Sequence, residues 1–258
     1  MIRFTIITCT YNAGAVLQRT LSSVFAQTHS HLEHLIIDGA STDNTVALAE
    51  AYRQHTATED YCHDVTIVSE PDKGLYDAMN KGIDLATGDY VLFLNAGDTF
   101  PSPDTLETVA ESVGDGEELP AVLYGDTDIV DDGGHFIRHR RLSPPRRLSP
   151  RSFLSGMVVC HQAFYARTDL AKATKYDLRY RFSADFDWCI RIMKLARQRH
   201  IGMRNVGAVV ADYLDGGMTT ANHQESLNER FRVMCRHFGL LPTLAMHSWF
   251  VVRSIIRR

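Results

Sequence analysis

The stretch "SEPDKGLYDAMNKGIDLATGDYVLFLNAGD" (69–98) decides the fold. Its middle, "YDAMNKGIDLA" (76–86), reads as a helix, and "YVLFLN" (90–95) as a short strand of core material. A helix followed within a few residues by a buried strand is half of a βαβ unit. The strand runs directly into Asn95 and Asp98. A carboxylate buried at a strand end costs free energy unless something pairs with it, so the partner of Asp98 becomes the first question.

Working outward, three earlier strands are predicted at "RFTIIT" (3–8), "HLIID" (34–38) and "VTIVSE" (65–70). Between them lie "AVLQRTLSSVFAQT" (15–28), with Leu17, Leu21, Val24 and Phe25 on one helical stripe, and a helix through "TVALAEAY" (45–52). Such alternation defines an α/β fold with a mainly parallel sheet flanked by helices. Downstream, Ser102 and Pro103 read as the cap and first residue of a helix running to Val113. "AVLYGDTDIV" (121–130) and "HFIRHRRL" (135–142) form a hairpin around "DDGG". "SPPRRLSPRS" (143–152) is a loop, either solvated or touching an anionic substrate or membrane. "SADFDWCIRIMKLARQ" (183–198) is a strong helix with Trp188, Ile192 and Leu195 along one side, and Asp187 is placed to pair with Arg191 one turn on. A further helix runs from about Asn222 to Phe238.

The chain has 258 residues, enough for one large α/β domain or a domain with an appendage. Its 45% apolar and 22% charged residues are those of a globular protein, and a net charge of −4 argues against a dedicated nucleic-acid binder. Five scattered cysteines with no CxxC pair suit neither a disulfide framework nor a structural zinc, which points to a reducing compartment. The apolar start of "MIRFTIITCTYNAG" is too short for a secretory signal and reads as the first strand. From Phe238 to Val252 no acidic or basic residue except histidine occurs, but these fifteen residues fall short of the roughly 20 that span a bilayer. Leu241, Ala245, Trp249, Val252 and Ile256 would line one face, with Arg253, Arg257 and Arg258 as basic anchors. Such a helix either packs on its own domain or lies at a membrane interface.

In parallel α/β sheets, ligands bind beyond the carboxyl ends of the strands. There this sequence places Thr10, Tyr11 and Asn12 after the first strand, Asp38 after the second, Glu70 and Asp72 after the third, and Asn95 and Asp98 after the fourth. Neither GxGxxG nor GxxxxGK[ST] accompanies them. Two unit charges 4 Å apart interact by about 4 kcal/mol at an effective dielectric of about 20, so an acid-rich edge repels a diphosphate unless a divalent cation intervenes. Asp98 is the expected protein ligand of that ion, with phosphate and water completing its shell.

"TIITCTYNAG", "IIDGASTDNT", "SEPDKGLYDAMNKGIDLATGDYVLFLNAGD", "HQAFYAR" and "SADFDWCIR" resemble the successive motifs of the family 2 glycosyltransferases, over roughly residues 3 to 195. The likeness is strongest to small bacterial members that build capsular, O-antigen or exopolysaccharide repeats. It implies the GT-A fold, Rossmann-like, with residues 1–218 as catalytic domain and 219–258 as a C-terminal helical extension. It implies a nucleotide-binding loop at Thr10, Tyr11 and Asn12, a base-binding acid at Asp38, and donor contacts at Asp72, Lys73 and Asn95. "LNAGD" matches an acidic metal motif in which Asn95 and Gly97 stand where acids are usual, leaving Asp98 as the metal residue, for Mn²⁺ or Mg²⁺. Asp185 falls at the catalytic base, with Ala184 before it where many relatives carry Glu; His161 and Trp188 fall on the acceptor side.

The implied reaction is inverting transfer of a sugar, a hexosyl group, from a nucleotide-diphosphate donor, UDP being favoured. The acceptor is a hydroxyl of a saccharide or lipid-linked saccharide. A cytoplasmic location is expected, with peripheral membrane contact through the last helix. A carboxylate at a helix N-terminus stays ionised and can take the acceptor proton. Two other readings stand beside it: a metal-dependent sugar nucleotidyltransferase, against which the missing GxGxR-type loop speaks, and a non-catalytic nucleotide-sugar-binding homologue. Cys160 and His161 are not a catalytic dyad, since adjacent strand residues face opposite ways. Asp43 and Asn44 read as helix-start residues, and "DYLDGGMTT" (212–220) as a flexible loop able to close over the donor, with Gly216 and Gly217 as hinges.

Overall fold

The computed structural model describes residues 1–58, 63–114, 116, 118–216 and 223–256. Cys62, Gly217, Asn222, Arg257 and Arg258 lie outside the described residues. In chain order the elements are β1 (Phe4–Thr10), α1 (Leu17–Phe25), β2 (Leu32–Asp38), α2 (Thr45–Thr58), β3 (Asp64–Ser69), α3 (Leu75–Leu85), β4 (Tyr90–Phe93) and α4 (Thr105–Glu111). Then follow β5 (Val122–Val130), β6 (Phe136–His139), β7 (Phe164–Arg167), α5 (Thr168–Ala173), α6 (Ala184–Gln198), β8 (Met203–Leu214), α7 (His223–Phe238) and α8 (Leu240–Ile256).

One mixed sheet runs in the order β3-β2-β1-β4-β7-β5-β6, and β8 pairs with β5. The β1–β2, β2–β3, β1–β4 and β5–β8 ladders are parallel, as the alternating pattern requires. β7 sits antiparallel between β4 and β5 and joins the two parallel parts. Phe4, Ile6, Ile7, Val91, Leu92 and Phe93 have no exposed surface, because helices cover both faces of the central strands. Val233 and Met234 of α7 are buried in the same core, so the expected C-terminal extension is docked on the sheet-bearing unit.

Several expectations shift. The α4 helix starts at Thr105 after Asp104, because Ser102 is drawn into a turn in which its hydroxyl bonds Asp104. Residues 212–214 are the end of β8 and not a loop: Asp212 exchanges backbone bonds with Thr99. β7, α5 and most of β8 are unforeseen; β7 is only four residues long, and Gly207 interrupts the apolar pattern of β8.

A buried polar chain ties α2, β2, β1 and the β4 end together. His63 Nε2 bonds the Tyr52 hydroxyl (2.6 Å), which bonds His34 Nδ1 (3.1 Å). His34 Nε2 bonds Thr8 Oγ1 (2.8 Å), which donates to the Leu94 carbonyl (2.8 Å). Thr8 spends its proton on Leu94, so His34 Nε2 carries a hydrogen and Nδ1 accepts from Tyr52; the ring is neutral. Burial, helped by the charge of His63, pushes the His34 pKa down to about 3, and burial pushes His63 down to about 4. Both folded pKa values lie below the unfolded value, so the contribution is complete above about pH 6.5 and is lost on acidification toward those values. Each histidine costs up to about 1.4 kcal/mol per pH unit across its window. Thermal melts should therefore show the midpoint falling between pH 6.5 and 4, and His34→Gln should flatten that slope while lowering the midpoint at pH 7.

Candidate active site

The strand tips are locked by Asp38, which is almost fully buried. Its Oδ1 accepts from the Thr10 hydroxyl (2.9 Å) and from Ser41 Oγ; its Oδ2 accepts from the Ser41 N–H (2.9 Å) and Ser69 Oγ (2.7 Å). Burial would raise its pKa, but these bonds, led by Ser41, hold it below the usual carboxylate range. Thr10 is likewise buried, so both serve as clamps joining β1, β2 and β3. Asn12 adopts a left-handed φ of 48°, which asparagine tolerates, and its Oδ1 accepts the Thr42 N–H. Asp43 bonds Gly14 and Thr45 at the start of α2, the helix-start role read from the sequence.

On this locked edge, Tyr11 is 68% exposed. A Cβ on Gly39 would stand 2.6 Å from Asp72 Oδ2 and 3.4 Å from the Tyr11 ring, so Tyr11, Gly39 and Asp72 form a close cradle in which a larger residue would displace the Asp72 carboxylate. Asp72 also accepts the Gly74 N–H (2.7 Å), and Lys73 is exposed beside it.

The second cluster surrounds Asp185, at the start of α6. Its Oδ1 accepts the Phe186 N–H (2.8 Å) and the Tyr76 hydroxyl (3.3 Å), and His161 Nδ1 stands 3.4 Å from its Oδ2. Asn95 Nδ2 donates to His161 Nε2 (3.0 Å), which leaves the ring proton on Nδ1, facing Asp185. Burial pushes the Asp185 carboxyl up, but the bond and charge of His161 and the charge of Arg230 outweigh it, and its pKa is lowered. Asp185 is thus a carboxylate kept ionised, oriented from one side, and partly open.

Asp98 finds its partner beneath this cluster. It is 4% exposed, with Gln162 Nε2 donating to Oδ2 (2.8 Å) and the Leu214 N–H donating to Oδ1 (3.0 Å). Burial nevertheless pushes its pKa up to about 6. Gln162 in turn accepts the Cys160 thiol. The strand expected at Cys160 and His161 is absent; Cys160 precedes a short 3₁₀ turn at His161–Ala163, and the Asp98–Gln162 bond fixes that turn. Gln162 escaped the sequence reading, although it lies inside the quoted "HQAFYAR".

One expected role is corrected. Trp188 has no exposed surface; it stacks on Tyr176 at 4.8 Å and meets Phe93 and Phe164 edge-on, so it is core and reaches no acceptor. Asp98 turns both oxygens to protein donors, and the described residues hold no group of three His, Cys, Asp or Glu suited to an ion. Nor can an acid return at Gly97. Its φ is 99°, and a Cβ there would meet Leu214 Cδ2 at 2.7 Å. Toward an ion the described residues thus present a single carboxylate, already bonded to two protein donors, so phosphate and water would have to supply the rest of the shell. Asp187, in contrast, pairs with Arg191 (2.6 Å) as read, and also with His237 of α7 (2.7 Å).

A sequence model described as glycosyl transferase family 2 matches residues 5–173. A Mycobacterium tuberculosis protein called "PGL/p-HBAD biosynthesis glycosyltransferase" is 33% identical over 99% of this chain and 94% of its own length. The amylovoran biosynthesis glycosyltransferase AmsB of Erwinia amylovora is 29% identical, over 75% of this chain and 65% of its own. Among solved structures, S. aureus TarS 1-349 in complex with UDP-GlcNAc superposes with a TM-score of 0.66 at 16% identity, covering 96% of this chain and 73% of that one. Pyrobaculum calidifontis mannosyltransferase PcManGT, in complex with GDP-Man and Mn²⁺, gives 0.64 at 20% identity, covering 95% and 70%. The fold is therefore GT-A, and the chain belongs to glycosyl transferase family 2.

Gly97→Asp should lower stability by about 2 kcal/mol or more, through the left-handed φ and the Leu214 clash, and should fail to create a Mn²⁺ site in a binding titration. Asp98→Asn should flatten the fall in stability that Asp98 causes as pH rises toward 6, while its amide, unable to accept from both Gln162 and the Leu214 N–H, lowers the melting midpoint. The raised pKa of Asp98 means its ionisation costs stability as pH rises through about 6, and asparagine removes that cost.

Proposed function

We propose that this enzyme transfers a sugar from a nucleotide-diphosphate donor, with UDP favoured, to a hydroxyl of a saccharide or lipid-linked saccharide, with inversion at the anomeric carbon. The observation that carries this reading is Asp185, ionised, partly open and oriented by His161 and the Phe186 N–H at the head of α6. The nucleotide lies over the Tyr11, Gly39 and Asp72 cradle, with Lys73 beside it. Asp185 removes the proton of the acceptor hydroxyl as that oxygen attacks the anomeric carbon, and the nucleoside diphosphate leaves from the opposite face. His161, held by Asn95, orients the carboxylate and lines the acceptor side. No step is assigned to a metal ion. The biosynthetic roles in the relatives' names, PGL/p-HBAD biosynthesis and amylovoran biosynthesis, support an acceptor met during glycan assembly.

Asp185→Asn should retain donor binding within about threefold, while transfer falls about 10²- to 10⁴-fold. Calorimetry with UDP and a radiolabelled transfer assay separate the two, and unaltered transfer would remove Asp185 from the mechanism. The anomeric configuration of the product, read by NMR, tests inversion.

We further propose that α8 touches a membrane surface. No helix among the described residues is long and apolar enough to cross a bilayer, yet Leu241 is 79% and Trp249 52% exposed. With the arginines that follow in sequence, this is the pattern of a helix lying in the interface. Leu241→Glu with Trp249→Glu should abolish flotation with vesicles containing anionic lipid and leave transfer to a soluble acceptor unchanged.

A further inference from the structure

A leaving nucleoside diphosphate brings negative charge to the reaction centre, where the described residues offer no carboxylate set for an ion. They offer a guanidinium instead. Arg230, on α7, lies with Cζ 5.5 Å over the ring of Phe186, the residue that follows Asp185. Its Nε is buried and has no hydrogen-bond partner. It stands near enough to Asp185 to lower that carboxyl's pKa, yet among the described residues it makes no ion pair with a carboxylate. Arg140, on the segment after β6, donates to the Leu142 carbonyl (3.1 Å). Burial and the charge of Arg140 push Arg230 down, while Asp185 pushes it up.

Arg230 carries a buried donor with no partner, and an anion arriving beside it would satisfy that donor. Guanidiniums carry several donors in a planar fork that matches phosphate oxygens, and they need no carboxylate partner. The position of Arg230 is rigidly set. The Glu229 carboxylate accepts the N–H groups of Arg181, Phe182 and Ser183 (2.8, 2.7 and 3.0 Å). Asp187 of α6 holds His237 at the other end of α7. One helix therefore both braces the chain entering α6 and presents Arg230 beside Asp185.

We propose that Arg230 is the phosphate-binding element of this site and takes the diphosphate of the nucleotide donor where a carboxylate-held metal ion would be expected. This rests on the nucleotide-donor reading given above, and it assigns the developing charge of the leaving group to a fixed guanidinium.

The test is calorimetric titration of the full-length protein with UDP, GDP, dTDP and uridine, in EDTA and in Mn²⁺. The variants are Arg230→Met and Arg230→Lys, each checked for folding by its melting profile. The parent should bind a nucleoside diphosphate in EDTA within about threefold of its affinity in Mn²⁺. Arg230→Met should weaken that binding about 10- to 100-fold and leave uridine unchanged, with Arg230→Lys intermediate. Diphosphate binding abolished by EDTA and restored by Mn²⁺ would overturn the proposal and restore the metal while leaving the donor reading intact. Normal diphosphate binding by folded Arg230→Met would overturn it as well; if KM then rises only for a phosphate-bearing lipid acceptor, Arg230 serves the acceptor instead. Absence of nucleotide binding by the parent in both buffers would overturn the donor reading together with this one.

Discussion

The site depends on the burial of the Asp98 carboxylate at the tip of β4. A charge in that position is tolerable only with donors on both oxygens, and the chain supplies them from two distant places, Gln162 and the Leu214 N–H. Those bonds join three segments that sequence separates widely: the β4 tip, the 3₁₀ turn with His161, and the end of β8. Thr20 of α1 braces the same loop, its hydroxyl donating to the Asp98 carbonyl and accepting the Gly97 N–H. Once the turn is pinned, His161 has one place to go, between Asn95 and Asp185. The strand-end acid shapes the reaction centre from below and takes no place within it.

Two of the acids at the strand tips, Asp38 and Asp98, are thus structural anchors, and the groups left partly open are their neighbours. Asp38 spends four bonds on the tips of β1, β2 and β3, which leaves Tyr11 and Asp72 to face outward. This division follows from burial: a carboxylate saturated with protein donors is a poor ligand, whereas a partly exposed one beside a glycine can be reached.

The first four strands and their helices were legible because each apolar run is short, bounded and separated by amphipathic stripes. The Asp187–Arg191 pair was legible for the same reason, since helical spacing alone brings the two together. Trp188 misled, because an aromatic one turn into a helix beside the proposed base has the same spacing whether it points to a cleft or to Tyr176. Asp98 was legible as a buried acid in need of a partner. That the partner is an amide 64 residues away was not, since no local pattern encodes a contact across the sheet. Arg230 was hidden for the same cause: on its own helix it is an ordinary surface arginine, and only the docking of α7 on α6 gives it meaning.

Glu229 has a consequence for how the protein is made. The backbone just ahead of Asp185 has no neighbour of its own to satisfy three successive amides, and it borrows a carboxylate from near the C-terminus. On the ribosome, the sheet and its first helices can assemble while this segment is still incomplete. The carboxylate proposed as the base reaches its geometry only after α7 has emerged. On the proposed reading, a nascent chain whose strand tips are already assembled is still inert.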